Sequence, residues 1–126
     1  MSNPSATPNR YPQQNEPMWS KSEKAIARTA FDAALKRELQ EVIQQAKKMA
    51  NQIQEPAELW DLERYLTECR KQIDHKYDHR HSHLTRVFGK LLSENRLREE
   101  DLRGLQEDKL KSIRSQAKFF AEMDAA

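Results

Sequence analysis

Apolar positions between Phe31 and Ile53 recur every three or four residues. Phe31, Leu35, Leu39, Val42, Ala46, Met49 and Ile53 step by 4, 4, 3, 4, 3 and 4. That is a near-heptad seam, and an alternating strand does not produce it. Ser20-Lys21-Ser22-Glu23 stands just before it and reads as a capping box, a hydroxyl and a carboxylate three residues apart. Nothing breaks the pattern before Gln54, so it predicts one rod of roughly 50 Å at about 1.5 Å per residue. Glu55-Pro56 interrupts it, because proline disfavours helix in the residue before it and suits the first turn of a new one. The second helix is expected from Pro56 or Ala57. Leu59, Leu62, Leu66, Cys69 and Ile73 step by 3, 4, 3 and 4, and Tyr77 continues that face. Two amphipathic rods with a tight connection predict an antiparallel hairpin.

Beyond Tyr77 the apolar positions crowd together. Leu84, Val87, Phe88, Leu91 and Leu92 predict a third helical stretch that ends at Asn95-Arg96. Leu97 to Leu102 reads as a short helical segment, stopped at Gly104. A last helix is expected from about Glu107 to Phe120, with Leu110, Ile113, Ala117 and Phe120 inward. The fold class is all-α: a long hairpin stalk with a small C-terminal helical head. The expected organisation is a disordered tail over 1–17, a helical stalk and dimerisation region over 18–80, and the head over 81–126.

Such a stalk offers little apolar area to close on itself and cover both rods. A second copy is the simplest remedy, giving a homodimer with a four-helix-like stalk. Its interface is expected to use Leu39, Val42, Met49, Leu59, Leu62, Leu66, Cys69 and Ile73. The alternative is a monomeric hairpin with loosely covered ends.

Composition narrows the classes further. Of 126 residues only 2 are Gly and 5 Pro, and Pro4, Pro8, Pro12 and Pro17 fall in the first seventeen. A sheet-rich or Rossmann-type fold needs far more turn residues. The first seventeen residues are also rich in Asn, Gln and Ser, too polar to offset their ordering entropy. They contain no apolar stretch of the kind a signal peptide requires. The net charge is +2, from 22 basic and 20 acidic residues, which argues against bulk attraction to nucleic acid or an anionic membrane. No run approaches the roughly 20 apolar residues of a membrane span. Cys69 stands alone, so neither an intrachain disulfide nor a zinc-finger spacing is available. A cytoplasmic setting is expected.

His75, His79, His81 and His83 crowd one stretch, and spacings of four put imidazoles on one face if the helix continues. Lys76 and Arg80 oppose a cation there, and a histidine-rich solvated surface explains the stretch as well; no metal or other cofactor is expected. Asp74, Lys76, Tyr77, Asp78 and Arg80 alternate in charge, as an ion-paired helix surface does. There is no Ser-His-Asp order and no Gly-rich phosphate loop, so an enzyme is not expected. The basic positions Lys109, Lys111, Arg114 and Lys118 are diluted by Glu107, Asp108 and Glu122, and suit a helix C-terminus. Trp19, just before the cap, suits a hydrophobic staple or an anchor on a neighbouring helix. At ~100° per residue, Trp60 points away from Leu62, Leu66, Cys69 and Ile73. Arg64, Thr67 and Lys71 share its stripe, with Glu63 and Arg70 beside it. An outward aromatic among arginines has the composition of a protein-binding hot spot. Packing against the first helix or a second copy is equally open to Trp60.

The run Trp19-Ser20-x-x-Glu23, then Phe31, Ala34 and Arg37-Glu38-Leu39, resembles the cyanobacterial fluorescence recovery protein family. So do Leu59-Trp60-x-Leu62, Leu66, Arg70 and the string Ile73-Asp74-x-Lys76-Tyr77-Asp78-x-Arg80-x-Ser82. Val87-Phe88 and Asp108-Lys109-x-x-x-Ile113 fit the same register. The resemblance implies an all-helical dimer with a stalk and a head. It implies a non-enzymatic regulator that binds the C-terminal domain of the orange carotenoid protein. Such a regulator speeds return of the red form to the orange form and ends non-photochemical quenching of phycobilisomes. It further implies that Trp60 and Arg70, with Glu63, Arg64, Thr67 and Lys71, lie in the stalk patch that meets the partner, and that Phe88 and Lys109 serve from the head. The chain departs from the family pattern at Arg64, usually Asp; at Glu63, often His; and at Arg86, an aromatic. It departs again at His75, His79 and His81, which fall on Gly and Tyr positions. A reversed charge in a binding patch can cost several kcal/mol, so a homodimeric adaptor for another protein is the alternative reading.

Overall fold

The structure is a computed structural model and describes residues 18–125. The expected disordered tail over 1–17 lies outside the described residues. Helix α1 spans Lys21–Asn51, α2 Pro56–Lys76, α3 Leu84–Ser93 and α4 Glu107–Ala125, with 3-10 turns at His81–His83 and Glu99–Leu102. The described residues contain no strand. The fold is all-α.

The capping box forms as the sequence predicts. Ser20 Oγ accepts from the Glu23 amide at 3.1 Å, and Glu23 Oε1 accepts from the Ser20 amide at 3.0 Å. A cap of this kind is worth about 1 kcal/mol. Helix α1 ends at Asn51, three residues short of Gln54, so Ile53 falls outside it. Pro56 holds Glu55 extended at φ −111°, ψ 147°, so the chain has left the helix by that point. Glu58 Oε1 then takes the Gln54 and Glu55 amides at 2.8 and 2.7 Å and opens α2.

Helices α1 and α2 run antiparallel. The Phe31 and Tyr77 rings meet edge to face at 5.4 Å, and Lys76 Nζ reaches Glu38 Oε2 at 2.7 Å. The deepest part of α1 is not its seam of large residues. It is a stripe of small ones, Ala27, Ala30 and Ala34, flanked by Glu23 and Glu38. These alanines let the backbone of α1 approach Tyr77, Leu84, Val87, Phe88, Leu91, Leu97, Leu102, Leu105 and Ile113, and together they form the core. The core therefore runs across position 80, joining the first half of α1 to the expected head. Leu39 is 43% exposed, and α2 has no fully buried residue.

Helices α3 and α4 pack closely because of Gly89. A Cβ there would stand 2.4 Å from Gln116 Cβ and 3.0 Å from the Ala117 amide nitrogen. Asn95, at φ 62°, ends α3 in the left-handed region. Gly104 turns the chain toward α4 at φ 104°, with Ile26 against its Cα.

Candidate functional site

Trp60 stands in the second turn of α2, just after the connection that Glu58 secures. Its side chain is 61% exposed. The rest of its stripe is exposed too, and its polar groups bond within α2 itself. Arg64 Nη2 pairs with Asp61 at 3.2 Å, Thr67 Oγ1 donates to Glu63 Oε2 at 3.0 Å, and Lys71 lies 3.8 Å from Glu68. Arg70 is exposed and has no carboxylate within 4 Å among the described residues. The helix thus offers an indole and an uncommitted guanidinium on a surface where Arg64 and Lys71 are already paired.

The apolar face left bare is shared by both rods. At ~100° per residue, Leu39 and Ile43 lie on the side of α1 opposite Ala34, away from the head. Leu59 and Leu66 are exposed on α2, Leu66 at 41%. Val42, Met49, Leu62, Cys69 and Ile73 are half-buried between the rods. At the open end of the hairpin this face becomes a cleft of about 870 Å³, with Phe31, Leu35, Ile73 and Leu84 as its floor and Lys24, Arg28, Asp74 and His79 on its rim.

Two expected contact residues are elsewhere. Phe88 is fully buried and Lys109 is 2% exposed, so neither faces a partner. Phe88 fills the space between α3 and the rest of the core. Lys109 Nζ pairs with Glu23 Oε1 at 3.1 Å and lies over the Trp19 ring, 5.5 Å from its centroid. Trp19 is therefore an anchor on a neighbouring helix. Burial pushes the Glu23 carboxyl up, but the Ser20 amide, the Gln106 amide and Lys109 outweigh it and hold its pKa at about 2.

The histidines do not share a helical face. Helix α2 ends at Lys76, and residues 77–80 are not helical. Arg80 closes this turn on Asp78, with Nη2–Oδ2 at 2.6 Å and its amide on Oδ1 at 3.1 Å; these bonds hold the Asp78 carboxyl well below its usual range. His83 Nδ1 is 3.4 Å from Asp78 Oδ2, while His81 leans on Trp19 at 6.2 Å. The described residues contain no group of three or more His, Cys, Asp or Glu able to hold a metal.

Charge alternation near Lys76 hid a partly buried network that ties the stalk to the head. Lys76 Nζ bonds Glu38 at 2.7 Å and Glu94 at 2.8 Å; Arg96 bonds Glu94 at 2.9 Å and Glu41 at 2.6 Å. The Tyr77 hydroxyl donates to Glu38 Oε1 at 2.8 Å. Burial and that carboxylate push the Tyr77 phenol far up. For Glu94, Lys76 and Arg96 overcome the upward push of burial and hold the carboxyl low. The spacing of Lys76 and Tyr77 inside the conspicuous Ile73–Ser82 string was the available signal, since adjacent residues on one turn face different neighbours.

Among the described residues no helix is long and apolar enough to cross a membrane. The family model described as photoprotection regulator fluorescence recovery protein matches residues 19–117. The chain is 36% identical over 104 residues to the fluorescence recovery protein of Synechocystis sp., covering 82% of this chain and 95% of that one. Its fold matches the solved fluorescence recovery protein of Fremyella diplosiphon at a TM-score of 0.76 and 38% identity, over 80% of this chain and 99% of that one. The solved Synechocystis sp. protein matches at the same TM-score and 36% identity, with the same coverage.

Proposed function

Since this chain belongs to the fluorescence recovery protein family of photoprotection regulators, we propose that it binds the orange carotenoid protein through the outer face of α2 and speeds its return from the red form to the orange form. Trp60 and Arg70 make the central contacts, with Glu63, Arg64, Thr67 and Lys71 around them. The observation that carries this reading is the exposed Trp60 indole on the same helix as an exposed Arg70 that has no ion-pair partner among the described residues. A desolvated indole and guanidinium are the usual anchors of a protein interface. The chain works by binding, with no covalent step, in the cytoplasm.

A binder changes an equilibrium only through differential affinity for the two states. It changes a rate only by holding the transition state more tightly than the starting state. The proposed site therefore grips the carotenoid protein better as its C-terminal domain approaches the compact arrangement than when it is open. Ending the red state ends the quenching of phycobilisomes.

The working form is a homodimer. A second copy covers Leu39, Ile43, Leu59 and Leu66, together with the cleft at the open end of the hairpin. Phe88 and Lys109 support the site from inside, by keeping the head on α1.

The test is the dark recovery of light-activated orange carotenoid protein, followed by absorbance with and without this chain. Faster recovery with the native chain and none with Trp60→Ala supports the reading; no acceleration by the native chain refutes it. Arg64 favours a second reading, since it places a positive group where the family usually has Asp. In that case the dimer is an adaptor for another protein, and the native chain leaves recovery unchanged while still forming dimers.

A further inference from the structure

A second cleft, of about 390 Å³, opens where the end of α2 meets α3 and the last turns of α4. Its α2 residues, Gln72 to Lys76, lie twelve to sixteen positions along the helix from Trp60, about 18–24 Å at 1.5 Å per residue. Val87 and the Phe120 ring provide its apolar wall, while His75, Lys76, Arg86 and Lys90 bring basic groups to it. Glu94 is the one carboxylate in the lining, and its Oε1 is already taken by Lys76 at 2.8 Å and Arg96 at 2.9 Å. Lys90 reaches the other Glu94 oxygen only at 3.7 Å and the exposed Asp124 at 3.9 Å, and sits 5.1 Å over the Phe120 ring.

Arg86 is the least satisfied group. It is half-buried, and no carboxylate stands within 4 Å of it among the described residues. Among the described residues its side-chain hydrogen bond joins Nη2 to His83 Nδ1 at 3.2 Å. A partly desolvated guanidinium without a counter-charge is costly. Its flat fork of donors matches a carboxylate far better than an imidazole nitrogen.

We propose that this cleft binds a carboxylate carried on a small apolar body. Arg86 and Lys90 take the anionic group, and Val87 with Phe120 covers the body. Such a ligand is either a free small carboxylate or the acidic side chain of a peptide. None of the residues proposed to contact the carotenoid protein lines this cleft, so its failure leaves the partner reading intact.

The test is a 1H–15N titration of the full chain at constant ionic strength, with phenylacetate, with a blocked Glu-Phe dipeptide, and with chloride as the control. Saturable shifts at Arg86, Lys90 and Phe120 with phenylacetate support a free carboxylate as ligand; saturation with the dipeptide alone supports a peptide side chain. Arg86→Gln and Lys90→Gln, each checked for native helicity, are expected to weaken the binding at least about tenfold, as loss of a charge-assisted hydrogen bond does. Shifts no larger than those with chloride, or undiminished affinity in both variants, overturn the proposal.

Discussion

Glu23 and Lys109 meet inside the protein, Oε1 to Nζ at 3.1 Å, although 86 positions separate them. The same carboxylate closes the capping box of α1 on Ser20 and accepts the Gln106 amide at 2.9 Å ahead of α4. One side chain thus starts the first helix, steadies the start of the last and neutralises a buried ammonium. Removing one partner of a buried pair leaves an uncompensated charge, at a cost of about 3–5 kcal/mol. Glu23→Gln is expected to lower stability by that amount in urea unfolding; a loss below about 1 kcal/mol would show that the pair is solvated.

The pairing also sets an acid limit. The Glu23 carboxyl titrates at about 2 in the folded chain, against an ordinary 4.5. A depressed carboxyl contributes stability that is complete above its unfolded value and is lost as pH falls through the folded one. Wild-type stability should therefore drop between about pH 4.5 and 2, and Glu23→Gln should flatten that part of the profile. Parallel slopes in the two proteins would contradict the assignment.

Tyr77→Phe removes only the hydroxyl that donates to Glu38 Oε1. Glu38 keeps Lys76, so the expected loss is about 1–2 kcal/mol, the range for one buried hydrogen bond to a charged group. Urea midpoints with an unchanged m-value would report it.

Gly89→Ala places a methyl group into the contact with Gln116 and the backbone at Ala117. The backbone cannot yield as a side-chain end does. Overpacking of this kind costs about 1–3 kcal/mol, to be read from thermal unfolding. A stability gain would mean that α4 moves away freely.

Trp60→Ala and Leu66→Glu separate the two proposed surfaces. Trp60 is 61% and Leu66 41% exposed in the protomer, and neither belongs to its core, so each variant should keep its helicity and lose no more than about 1 kcal/mol of protomer stability. Trp60→Ala should remain dimeric and lose the partner. Leu66→Glu should sediment as a protomer at micromolar concentration; a dimer of native mass would place the interface elsewhere.

Much of the fold was legible along the chain. Ser20, Glu23, Pro56 and Gly104 are local signals, and each set a boundary through backbone geometry that needs no distant partner. The inward face of α4 was readable too, because Ile113 repeats the helical period. Phe88 and Lys109 were not, since a motif shows which residues recur and not which way they face. Nor was the contact face of α1: the period drew attention to Phe31, Leu35 and Leu39, while Ala27, Ala30 and Ala34 carry too little hydrophobicity to stand out.

The sequence alone determined the helices, the interruption at Pro56 and that Trp60 points away from the α2 seam, because these follow from side-chain period and proline sterics within a few residues; that Trp60 is exposed on the protomer came from the structure. Only the tertiary structure decided that α1 turns Ala27, Ala30 and Ala34 deepest into the core, with Phe31 and Leu35 at its edge and Leu39 facing away. That choice depends on how closely two backbones approach, a quantity set by the surfaces of both, and it explains why Leu39 is exposed on the protomer.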